Sequence, residues 1–114
     1  MAEERGAGRG DLVVIAEVFA REGTVAELEE LLRRHTEHCH EEPGILLFAV
    51  HRDREDPRHF AVIEVYESYE DIERHRGTER YGKLMATIVE LIDDRSRLEL
   101  EPLPAGDPAK GRLA

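Results

Sequence analysis

Glu64 and Tyr66 stand two residues apart in the otherwise apolar run FAVIEVY. In an extended strand, side chains at that spacing share a face, so a carboxylate and a phenol would enter the same interior. Desolvation disfavours the charged form of a carboxylate and raises its pKa, which makes Glu64 a candidate proton acceptor. The ordinary structural explanation is a carboxylate paired with a His or Arg at the edge of the core. For Tyr66 the corresponding explanation is a core aromatic whose hydroxyl reaches solvent. A third candidate, His75, follows Ile72 by one turn and precedes Gly77, where one helix breaks and another starts with Tyr81 close to its beginning. An imidazole there could move protons near neutral pH, or could satisfy a helix carboxy end at the surface.

The segment His35-Thr-Glu-His38-Cys39-His40 has the residue types of a metal site. Its spacing argues against one. On a helix turning about 100° per residue, His35 and Cys39 share a face while His40 lies roughly 140° from His35. Nothing else in the chain has matching half-site spacing, so no metal is expected, and His35 and Cys39 read as core or cavity lining. Other chemistry lacks its signature too: there is no glycine-rich phosphate loop, GxSxG elbow, dinucleotide fingerprint or CxxC pair.

Composition narrows the partners. The 114 residues carry 16 Lys+Arg against 26 Asp+Glu, a formal net charge of -10. Phosphate binding needs a basic patch, and the arginines are scattered among more numerous acids, so nucleic acid is not expected. The apolar run Leu12 to Ala16 ends at Glu17, far short of the roughly 20 residues of a membrane span. The first residues show no secretory pattern, and the single cysteine fits a reducing cytoplasm.

The candidate residues need elements to hold them. Residues 1–11 and 104–114 are rich in Gly, Pro and charge and read as disordered ends, leaving one folded domain over 12–103. Leu12 to Ala20 is short and rich in β-branched residues, a strand. Thr24 and Glu27 form a capping box for a helix that carries Val25, Leu28, Leu31, Leu32, His35 and Cys39. Glu42-Pro43-Gly44 ends it. Ile45–Arg52 and His59–Glu67 read as a hairpin. Ser68 caps a short helix that breaks at Gly77, and Thr78 caps a longer one bearing Tyr81, Leu84, Met85, Ile88, Leu91 and Ile92. Gly82 inside it costs about 1 kcal/mol relative to Ala. Arg97 to Leu103 alternates as a last strand. The order βαββαβ is the split βαβ arrangement of ferredoxin-like α+β folds, with a four-stranded antiparallel sheet.

Right-handed crossovers put both helices on one side of that sheet. Alternation sends Val14, Ala16 and Val18, Leu46, Phe48 and Val50, and Phe60, Val62, Glu64 and Tyr66 toward them. The other side carries Val13, Ile15 and Phe19, Ile45, Leu47 and Ala49, and Ala61, Ile63 and Val65, with Glu17 and His51 as polar interruptions, and two helices on one side leave it uncovered in a monomer. At roughly 25 cal/mol per Å² of apolar surface, burying several hundred Å² per subunit would stabilise association by many kcal/mol before entropy losses. The expectation is a homodimer packed sheet to sheet, a dimeric α/β barrel.

Taken together, LVVIAEVFAREGTVAELEELL and EEPGILLFAVHRDREDPRHFAVIEVYESYEDIERHRGTERYGKL resemble the antibiotic biosynthesis monooxygenase (ABM) domain family across about residues 12–103. The resemblance rests on the strand leading through Gly into the first helix, the EPG turn, the HRD-like end of the second strand and the E-x-aromatic-E-S segment ahead of a His motif. It implies a family glutamate at Glu64, Tyr66 at the pocket tryptophan position and the first motif histidine at His75. Arg80 replaces the second histidine, beside Tyr81. In the heme-degrading branch an Asn, a Trp and a His act together; the matching positions hold Ala16, Tyr66 and approximately Met85, so heme is not implied, and no cofactor is expected.

What the resemblance implies is a cofactor-independent monooxygenase of a small phenolic, quinol or polyketide-like aromatic substrate, with O₂ as co-substrate. Glu64 or His75 would take the proton and Tyr66 and Tyr81 would hydrogen-bond substrate oxygens. Phe48, His35 and Met85 would line the pocket. Two alternatives use the same pocket: an isomerase that needs no O₂, and a non-catalytic dimeric binding or accessory protein, whose sign would be a pocket too filled to hold an aromatic ring.

Overall fold

The computed structural model describes residues 12–114; the expectation for residues 1–11 lies outside the described residues. The elements run β1 (Leu12–Ala20), α1 (Val25–Cys39), β2 (Ile45–Arg52), β3 (His59–Tyr66), α2 (Tyr69–Arg76), α3 (Glu79–Leu91) and β4 (Ile92–Leu100). The strands form one sheet in the order β2-β3-β1-β4, antiparallel at every pairing. This is the ferredoxin-like α+β arrangement, with the second helix divided into α2 and α3.

The helices start and stop where local chemistry dictates. Ser68 and Thr78 accept from the backbone N–H groups of Asp71 and Tyr81, three residues on, and so cap α2 and α3. Thr24 behaves differently. It makes no side-chain cap bond; its hydroxyl sits 2.7 Å from both the Arg21 and Leu91 carbonyl oxygens and so ties the start of α1 to the end of α3. The capping box expected at Thr24 and Glu27 is therefore replaced by a tertiary contact. At Gly44 the α2 start approaches so closely that an added Cβ would lie 2.0 Å from the Asp71 carboxylate. That close approach is why the EPG turn ends in glycine.

Two boundaries differ from the sequence reading. β4 begins at Ile92, five residues before Arg97, because the chain passes from helix to strand with no intervening loop: Ile92 already has φ -119° and ψ 155°. In β2 the register shifts between Ile45 and Leu47. That bulge turns Ile45, expected on the open side, toward the helices, where it packs beside Val14, Tyr66 and Ile72.

The core lies between the sheet and the helices. Ala20, Phe60, Leu28, Leu32, Leu84 and Ile88 fill one end, and Val14, Tyr66 and Ile72, all 0% exposed, fill the other. On the side away from the helices, the register sets Ile15 opposite both Ile63 and Leu98, and Val13 opposite both Val65 and Leu100. Val13 and Val65 are buried, whereas Leu98 and Leu100 are 55% and 40% exposed. No helix among the described residues is long and apolar enough to cross a membrane.

Candidate functional site

Between the helix-facing side of the sheet and α3 lies a cavity of about 820 Å³. Small residues leave it open. Ala16 sits on β1 between the larger Val14 and Val18, and Gly82 on α3 has nothing within 4 Å of where a side chain would start; both face the cavity. The helical cost of Gly82 thus accompanies empty volume at the site. Its mouth lies between α3 and the edge strand β4, where Val89, Arg95 and Arg97 are exposed.

Glu64, His75, Tyr81, Phe48, His35 and Met85 all line this cavity. The fold brings them from β3, α2, α3, β2 and α1, as the faces assigned from the sequence required. Tyr66 stands behind them. It is fully buried and is not part of the wall, and its hydroxyl donates to Glu64 Oε1 at 2.5 Å rather than reaching solvent or a substrate. Tyr66 therefore positions the carboxylate. The sequence alone gave this hydroxyl to a substrate oxygen; here a buried phenol needs an acceptor and finds one two residues away on its own face.

Burial raises the Glu64 pKa, opposed by the Tyr66 hydrogen bond and by the charges of His75, Arg76 and Arg97. The Tyr66 phenol is pushed upward by burial and then by the adjacent Glu64, so it stays protonated as a donor. Glu64 is thus a carboxylate held in one orientation, with its affinity for a proton increased by its surroundings.

His75 is 2% exposed, not a surface residue at a helix end. Its Nδ1 lies 3.1 and 3.2 Å from the two Glu42 carboxylate oxygens. The imidazole is enclosed by rings, with centroids of Tyr81 at 5.1 Å, His35 at 5.4 Å, Tyr66 at 6.0 Å and Phe48 at 6.4 Å. His35 is also buried, with Nε2 at 3.2 Å from Cys39 Sγ. Burial, reinforced by the nearby His75, His38 and Arg80, lowers its pKa to about 4; it is neutral at pH 7. The other two histidines of the HTEHCH segment diverge: His38 takes no part in the cluster, and His40 turns to the Phe48 carbonyl oxygen at 3.0 Å.

The sequence reading missed the charge at the mouth. Arg76, Arg95 and Arg97 line the cavity. Glu99 pairs with Arg76 at 3.1 Å and with Arg97 at 3.7 Å, while the Arg95 guanidinium pairs with no acid among the described residues. A chain of net charge -10 therefore presents a locally cationic entrance. The signal was available in the alternation Arg95, Arg97, Glu99 against Ser96, Leu98, Leu100, once the last strand is started at Ile92.

A half-buried carboxylate, a caged imidazole and an aromatic-walled hollow, all on the helix side of a ferredoxin-like sheet, define a class of small α+β proteins whose pocket lies between sheet and helices. Within that class the chain belongs to the antibiotic biosynthesis monooxygenase family, whose model matches residues 11–87. It is similar to a protein described as an antibiotic biosynthesis monooxygenase, with 26% identity, a TM-score of 0.77 and coverage of 82% of this chain and 99% of that one. It is similar to PA3566 from Pseudomonas aeruginosa at 29% identity, a TM-score of 0.78, and coverage of 82% and 95%. A protein from Deinococcus radiodurans, described as a putative antibiotic biosynthesis monooxygenase, shares the fold at 21% identity and a TM-score of 0.79, over 84% and 96% of the two chains. No curated protein matches the chain in sequence.

Proposed function

We propose that this monooxygenase-family protein is a cofactor-independent oxygenase of a small phenolic, quinol or polyketide-like aromatic molecule. The observation that carries the reading is Glu64: a carboxylate at the wall of a cavity large enough for such a ring, fixed by the Tyr66 hydroxyl and made more basic by burial. Glu64 takes the proton of the bound substrate. The resonance-stabilised anion that results passes one electron to O₂, giving a substrate radical and superoxide. Their recombination forms a carbon–oxygen bond, the peroxide anion takes back the proton held by Glu64, and the hydroperoxide then loses water to leave a carbonyl. In an anthrone-like substrate a CH₂ group thereby becomes C=O, and in a phenol a ring C–H and the O–H become a quinone, while O₂ supplies one oxygen atom to product and one to water. The protein desolvates, orients and deprotonates. Arg76, Arg95 and Arg97 favour the anionic form at the mouth, Tyr81 offers its hydroxyl to a substrate oxygen, and Phe48 and Met85 pack against the ring.

The non-catalytic alternative needed a filled pocket, and a hollow of about 820 Å³ does not favour it. The working unit in this proposal is a cytoplasmic homodimer joined through the open side of the sheet, supported by the exposed Leu98 and Leu100 beside Val13 and Ile15. The test is oxygen uptake with a panel of quinols and anthrone-like compounds. Uptake that Glu64→Gln abolishes, with folding intact, supports the reading. Turnover that proceeds equally well without O₂ replaces it by isomerisation, and no turnover across the panel overturns it.

A further inference from the structure

At the cavity wall, with His35 and His75 in it, lies a cluster that the oxygenation reading does not use. His35 and Cys39 stand one turn apart on α1, and His75 reaches them from α2. Their exposures are 6%, 0% and 2%, and one ligand atom from each lies within 4.8 Å of those of the others. The HTEHCH pattern supplies only two of these groups; the third lies 36 residues beyond Cys39 in the chain, so no local spacing shows it.

Two further observations separate this cluster from ordinary core packing. First, it is short of partners: His35 Nδ1 is buried with no hydrogen-bond partner, a condition that calls for an explanation in a protein interior. Second, His75 is already arranged as a ligand. Glu42 holds its Nδ1, which leaves Nε2 for coordination, and a carboxylate on the remote nitrogen fixes the ring and makes the ligating nitrogen more basic.

The geometry points to a binding site for a zinc-type divalent cation, held by His35, Cys39 and His75 with its remaining position toward the cavity. Two imidazoles and one thiolate suit a borderline-soft ion, and a three-residue set leaves a position open. His35 and His75 are both part of the cavity wall, so an ion can arrive from the mouth. Binding replaces the Cys39 thiol proton by the metal and releases that proton to solvent. It also occupies His75, leaving Glu64 as the sole proton acceptor of the pair. The site stands or falls independently of the oxygenation reading.

The experiment uses the full chain, stripped with a chelator and titrated with Co²⁺ as the probe ion. The expected result is one Co²⁺ per chain, with an intense thiolate-to-cobalt charge-transfer band and the visible bands of a four-coordinate ion, both displaced by Zn²⁺. The band should vanish in Cys39→Ser, persist in the control His38→Ala, outside the cluster, and require about tenfold more Co²⁺ in Glu42→Gln. A folded wild-type chain that gives no thiolate band overturns the site without reference to any variant. A band or affinity unchanged in Cys39→Ser overturns it equally.

Discussion

The two faces of the sheet are built from the same kinds of residue and do opposite things. On the helix side, α1, α2 and α3 bury Val14, Tyr66 and Ile72 completely, yet enclose a hollow where polar groups gather in pairs: Glu64 with Tyr66, His75 with Glu42, His35 with Cys39. On the open side the described residues place no helix. Apolar residues line up across β1, β3 and β4, and polar ones gather toward one end, where His59 is stacked on Phe19 at 4.1 Å and bonded to Glu17 at 2.6 Å and Asp53 at 2.9 Å. The lesson is that burial alone does not make a site. The helix side becomes one because Ala16 and Gly82 withhold volume there.

If this division is right, its largest consequence is at Glu64. Glu64→Gln keeps the shape and the Tyr66 contact but removes the proton acceptor, and turnover of a responsive quinol should fall about 10²–10⁴-fold with the melting temperature maintained. Loss of activity together with loss of fold would instead make Glu64 structural. Stability separates the faces next. Ile72→Ala, at a site with no exposure, should cost about 2–5 kcal/mol in chemical denaturation. Leu98→Ala, at a residue 55% exposed, should change the stability of an isolated chain by no more than about 0.5 kcal/mol. In a sheet-to-sheet dimer the Leu98 variant dissociates at higher concentration than wild type. Light scattering reads this directly: the wild type should weigh twice 13.0 kDa, and a mass near 13.0 kDa at micromolar concentration would leave the open face without its proposed partner.

Much of this contrast was legible in the sequence, and the exceptions have physical causes. β-branched runs and caps marked β1, β2, α2 and α3 because those signals are local. Period-two alternation placed Glu64 on the helix side for the same reason. The start of β4 was not legible, since Ile92-Asp93-Asp94 follows a helical pattern with no Gly or Pro to mark the change and the switch is enforced by pairing with β1. The turn of Ile45 toward the helices depends on a bulge that alternation cannot reveal. Nor could the sequence join Glu42 to His75, 33 positions apart, or show that Tyr66 would spend its hydroxyl on Glu64. Such pairings exist only once α2 is laid across the sheet.

A smaller effect tests the role of Tyr66. Its hydrogen bond lowers a Glu64 pKa that burial raises, so Tyr66→Phe should raise that pKa further and move the acid limb of the rate profile to higher pH. A merely structural tyrosine would lower the plateau and leave the limb in place. The same raised pKa has a sign for stability. The folded chain holds the Glu64 proton more tightly than the unfolded chain, so stability declines as pH rises from 4.5, the unperturbed value, through the folded pKa. Glu64→Gln removes that decline.

The least effect belongs to the open face, and it sharpens the comparison most. Asp53 and then Glu17 raise the His59 pKa above 6.5 against a smaller opposing desolvation. A histidine raised on folding contributes stability that is fully present below pH 6.5 and is lost as pH climbs through the folded value. The wild type should therefore show a falling melting temperature over that window, and His59→Gln should flatten it. On a solvated face the slope is slight, because water and salt screen an exposed pair. Under a second sheet, Glu17 and His59 would lose that water and their coupling would strengthen. The slope should then resist added salt and fade on dilution as the dimer parts. A slope that salt erases and dilution leaves unchanged would place His59, and the face around it, in solvent.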